Sequence, residues 1–115
     1  MAQVVDREAA PLLDEIREVF GLSESELADL FGVRRPSLTA WRSVGIPPGR
    51  RATAERLLGL ARVLDRELIR SRIPEIVRTP DDWLGNRTIL DVLIAEGPAP
   101  VYGYLGRLFA YAEGA

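Results

Sequence analysis

The apolar positions of this chain recur at helical intervals from end to end. No stretch alternates with period two for long enough to make a strand. Leu12, Leu13, Ile16, Val19 and Phe20 share one face of a helix that Pro11 opens and Gly21 stops. After it, Ser23 and Glu26 are spaced as a capping box, and Leu27, Leu30 and Phe31 form the apolar face of a second helix. Gly32 turns the chain, and Pro36 lies in the first turn of a third helix that points Leu38 and Trp41 back at Phe31. Gly45-Ile46-Pro47-Pro48-Gly49 reads as a rigid connector. A long helix is predicted from about Arg50 to Ser71. Its apolar residues cover more than half the circumference, so it packs on more than one side. Ile73-Pro74 and Thr79-Pro80 are breaks with a short helical turn between them, and Asp81 and Asp82 suit the turn after Pro80. Thr88 caps a helix from Ile89 to Glu96 that Gly97 and Pro98 close. Pro100 starts a last helix, with Val101, Leu105, Leu108 and Phe109 along one side and Tyr104 and Tyr111 along another. Residues 1–8 read as a loose polar arm.

The predicted fold class is therefore all-α. The pattern divides near residue 72 into a helix-turn-helix bundle with its long connecting helix (1–72) and a smaller helical region (73–115). The second part has too few residues for an independent core, so it must fold back on the long helix, dimerise or bind another protein. The chain contains no Cys, His or Lys. That excludes disulfides, Cys/His zinc sites and the Ser-His and Cys-His nucleophiles. Asp81, Asp82, Asp91 and Glu96 could form carboxylate pairs, but without a base or nucleophile beside them they read as helix-start and surface acids. No enzymatic activity, cofactor or metal is expected. No apolar run approaches a membrane span and no signal segment opens the chain, so a soluble cytoplasmic protein is expected. The sequon at Asn86-Arg87-Thr88 is a chance match in that setting.

Charge sharpens the picture. The net charge is −2, yet residues 32–54 hold Arg34, Arg35, Arg42, Arg50 and Arg51 and no acid, whereas residues 1–31 carry eight acids against two arginines. Arg50 and Arg51 fall at the start of the long helix, where cations oppose the helix dipole, a conflict that a phosphate ligand would remove. Ser23 to Arg42 therefore reads as a DNA-binding helix-turn-helix with a basic recognition element. On that reading Arg34 or Arg35 pairs with guanine, while Ser37, Thr39 and Ser43 on the exposed side touch bases or phosphate. Arg42, Arg50 and Arg51 contact the backbone and position the domain. A domain this small is expected to act as a homodimer on half-sites about 34 Å apart.

The arrangement with Ala28, Gly32, Val33, Leu38, Trp41, Gly45 and Pro47 resembles the phage-repressor-like Xre class. Residues 78–109 resemble the toxin-binding domain of the Xre/MbcA/ParS antitoxins at Leu84-Gly85, Asn86-Arg87-Thr88, Leu90 to Leu93, Gly97 and Val101 to Leu108. Ile89 stands where that family usually has proline after the threonine. The resemblance implies an antitoxin that binds operator DNA, represses its own operon and covers the active-site entrance of a cognate toxin from the same operon, commonly an NAD-degrading toxin of the RES-domain type. The residues assigned to the toxin are Trp83, Leu84, Tyr102, Tyr104, Leu105, Arg107, Leu108, Phe109 and Tyr111. All three tyrosines of the chain fall in this last helix, and tyrosine is enriched at interfaces. The alternative is a stand-alone phage-type repressor whose tail serves only to dimerise.

Overall fold

Seven helices follow one another in a computed structural model that describes residues 8–114, with side chains for residues 8–110. The arm expected over residues 1–8 lies outside the described residues except for Glu8, and so does the Tyr111 side chain. The helices are α1 (Ala9–Phe20), α2 (Glu24–Phe31), α3 (Arg35–Val44), α4 (Pro48–Glu67), α5 (Ile73–Ile76), α6 (Ile89–Glu96) and α7 (Ala99–Gly114). Single 3₁₀ turns lie at Arg70–Arg72 and Asp82–Leu84. The described residues form no strand, only an isolated bridge between Asp81 and Arg87. None of their helices is long and apolar enough to cross a membrane.

Local chemistry explains most boundaries. Ser23 accepts the Glu26 N–H at 3.1 Å while Glu26 accepts the Ser23 N–H at 2.9 Å, and Thr88 and Asp91 repeat the device at 3.0 Å both ways. These bonds hold the Glu26 and Asp91 carboxyls below the usual carboxylate range, with Arg78 adding to the effect at Glu26. Proline marks starts less sharply than the sequence suggests. α1 begins at Ala9, two residues ahead of Pro11, and α4 begins at Pro48, inside the expected connector. Both prolines sit in a first turn, where the missing N–H has no helical partner to lose. α4 ends at Glu67 instead of Ser71. Leu68 is extended, and the chain turns back so that Ile73 and Val77 are fully buried.

α1 is the hub, packing on α3, α4 and α5, while α6 packs on both α2 and α7. The buried side chains, from Ala9 to Leu105, make one continuous apolar cluster. The C-terminal region folds back not only on α4 but chiefly on α1 and α2. Three contacts hold it there. Pro74 lies against Gly21, where a Cβ would stand 2.7 Å from two atoms of the proline ring. Arg78 donates to the Phe20 and Gly21 carbonyls at 3.1 and 2.8 Å and to the Glu26 carboxylate at 3.0 Å. Tyr102 on α7 donates its hydroxyl to the Arg56 carbonyl of α4 at 3.0 Å, passing close over Gly59.

Candidate nucleic-acid interface and partner face

α2 and α3 are joined by three residues, Gly32 to Arg34. Gly32 takes the left-handed conformation (φ 65°) that lets the chain turn at no steric cost. The Phe31 and Trp41 rings meet edge to face at 5.3 Å and fix the angle between the two helices, with Leu38 fully buried beside them. Burial of Leu38 and Trp41 turns the opposite face of α3 outward. Pro36, Thr39, Ala40 and Ser43 are exposed there, Ser37 is half-buried at one flank, and Val44 is 72% exposed at the far end. Arg34 is the N-cap residue of α3 and makes no side-chain cap bond, so two arginines occupy the positive end of the helix dipole. Arg34 and Arg35 are exposed and have no ion pair or side-chain hydrogen bond among the described residues. The outward face of α3 is thus a row of small side chains with two unengaged guanidinium groups at one end.

The other arginines of the acid-free stretch depart from the expectation that they lie open to a ligand. Arg42 turns inward. It meets Glu24 at 2.6 and 2.9 Å and Asp14 at 3.0 Å, tying α3 to α2 and α1, and these bonds, Glu24's foremost, raise its pKa further. Arg50 donates to the Phe31 carbonyl, satisfying the C-terminal end of α2. Arg51 pairs with Glu55 at 3.2 Å and stands near Glu8. Their acidic or carbonyl partners lie on other turns and other helices, so a count of charge along residues 32–54 does not register them. Substituting Arg42 by methionine is expected to cost about 1–3 kcal/mol, because two carboxylates lose a shared donor. Urea unfolding measures it, and an unchanged midpoint would show that the three-helix pin is idle.

Of the nine residues assigned to a partner in the C-terminal region, the eight whose side chains are described differ in exposure. Leu84, Tyr104 and Leu105 are buried within this chain and support the surface from beneath. Trp83, Tyr102 and Arg107 are exposed, and Leu108 and Phe109 are half-buried. Tyr102 faces α4, whereas Trp83 and Leu108 line a separate open hollow together with Pro80, Asp81 and Asp82. Asp81 organises that corner. Its carboxylate accepts the Trp83 N–H at 2.8 Å and the Tyr104 hydroxyl at 3.0 Å, and its carbonyl accepts from Leu84 and Asn86. The Trp83 and Tyr104 rings meet edge to face at 6.2 Å. In the sequence, Asp81 and Asp82 signal only a helix start. The Asp81–Tyr104 bond spans 23 residues and has no local signature.

Burial, with the Asp81 hydrogen bond and charge behind it, pushes the Tyr104 phenol up to about 12. A raised folded-state pKa means that this contribution is whole below the unfolded value near 10 and is lost as pH climbs through the folded one. Stability measured by urea unfolding is therefore expected to fall between pH about 10 and about 12, and Tyr104→Phe to flatten that fall. An identical alkaline slope in the variant would remove Tyr104 as its source.

No group of acids that could hold a metal ion occurs among the described residues. Compared with protein families, with characterised proteins and with solved structures, the chain matches none.

Proposed function

We propose that α2 and α3 form an Xre-like helix-turn-helix that reads DNA with α3, and that the protein is an antitoxin whose C-terminal region binds and neutralises a cognate toxin. The observation that carries the DNA reading is the contrast among the arginines. Arg42, Arg50 and Arg51 are engaged within the fold, while Arg34 and Arg35 stand free at the head of an α3 face otherwise made of small residues. Small side chains let a helix backbone approach base edges closely, and a free guanidinium matches the paired acceptors of guanine. The antitoxin half rests on the resemblance of residues 78–109 and on Trp83 held at the surface beside a hollow. The toxin is of the NAD-degrading RES-domain type on this reading. The protein acts as a cytoplasmic homodimer, represses its own operon, and is not an enzyme.

The test is co-expression with the product of the adjacent reading frame. The expected result is that the neighbour arrests growth and depletes NAD when alone, that this chain restores both, and that the two co-purify. A harmless neighbour, or arrest that this chain does not relieve, would overturn the antitoxin half. The chain would then be a stand-alone repressor.

A further inference from the structure

The open hollow of about 530 Å³ at Pro80, Asp81, Asp82, Trp83 and Leu108 combines three properties that ordinary surface does not. Its aromatic wall is a tryptophan left 47% exposed, in a chain that buries its other tryptophan, Trp41. That wall is held in place: Asp81 accepts the backbone N–H of Trp83, and the indole ring meets Tyr104 edge to face. Its acid, Asp82, is exposed and has no ion pair or side-chain hydrogen bond among the described residues, while the Asp81 carboxylate is already used. An indole beside an unused carboxylate fits a cation, and the half-buried Leu108 lining the same hollow fits the apolar stem that carries one.

We propose that this hollow is a socket for one arginine side chain of the protein partner. The choice of arginine follows from shape. A planar guanidinium can stack on the indole and present two N–H donors to Asp82 at once, whereas an ammonium is a strongly hydrated point charge that can do only one of these well. Because the wall is already ordered, little freedom is lost on binding. The identity of the partner rests on the neutralisation reading above; the chemistry of the socket does not.

Two indole N–H resonances make the test internal, since the chain has only Trp41 and Trp83. N-acetyl-arginine amide is titrated into the full-length protein and followed by ¹H–¹⁵N spectra. N-acetyl-citrulline amide serves as the neutral isostere. The expected result is a saturable shift of the Trp83 indole with the arginine probe, a still Trp41, and binding by Asp82→Asn weakened up to about fivefold, as for the loss of one exposed ion contact. No shift up to the solubility limit, equal shifts with citrulline, or an unaltered Asp82→Asn titration would overturn the socket. The co-expressed neighbour then separates the two claims. If it co-purifies with Asp82→Arg as well as with the native chain, neutralisation stands and the socket falls. If the probe binds but the neighbour does not, the socket stands and neutralisation falls.

Discussion

Gly21→Ala is expected to destabilise the protein by about 2–5 kcal/mol, more than most single substitutions at an exposed position. Two costs combine. Gly21 has φ 66°, a left-handed conformation that costs a residue with a Cβ about 1–2 kcal/mol. The added methyl also meets Cβ and Cγ of Pro74 at 2.7 Å, and a proline ring cannot rotate away, so overpacking adds about 1–3 kcal/mol. Gly32 provides the control. It has nearly the same backbone (φ 65°) but nothing within 4 Å of where a methyl would stand, so Gly32→Ala should carry the conformational cost alone. The difference between the two variants in thermal or urea unfolding isolates the contact between the end of α1 and α5. Pro74→Ala should relieve part of the Gly21→Ala loss in the double variant. Equal effects at Gly21 and Gly32 would mean that the C-terminal region is not seated on α1 as described.

The second large effect concerns DNA. Replacing Arg34 and Arg35 together by glutamate is expected to weaken binding to a specific duplex by at least roughly a hundredfold, since each good arginine–guanine pair is worth about 1–3 kcal/mol and the new charges repel phosphate. Stability should move the other way. Acids at the head of α3 complement the helix dipole, so the variant should gain about 0.3–1 kcal/mol. Opposite signs in the two assays would identify the arginines as retained for binding at a cost to the fold. Arg50→Ala should do something different again. It removes the donor to the Phe31 carbonyl and lowers stability, with DNA affinity following only as far as the fold does.

Much of this architecture is written locally. Ser23 with Glu26 and Thr88 alone announce two helix starts because each cap fits in four residues, and the structure adds Asp91 as the second half of the Thr88 cap. Leu38 and Trp41 face Phe31 because helical spacing and one glycine turn dictate it. What stays hidden depends on residues far apart in the chain. Arg42 looks like one of five free cations until Asp14 and Glu24, 28 and 18 residues earlier, are seen on the helices beside it. Tyr104 and Leu105 look like partner contacts in a tyrosine-rich helix, and only the return of the 81–87 loop onto α7 shows that they are inside. The end of α4 carries no glycine or proline; burial of Ile73 and Val77 sets it. Helical periodicity therefore locates the elements and most of the core, whereas it overcounts the unpaired cations and the exposed side chains of α7.

The most direct test of α3 as a DNA-reading helix is the salt dependence of binding, by fluorescence anisotropy, to a duplex enriched by the protein from a randomised pool and to its scrambled counterpart. The predicted result is a specific affinity at least about a thousandfold above the scrambled one at physiological salt, with its logarithm falling linearly with log salt, and lost on Arg34→Glu/Arg35→Glu. No enrichment from the pool, or equal binding of both duplexes across the titration, would contradict the account.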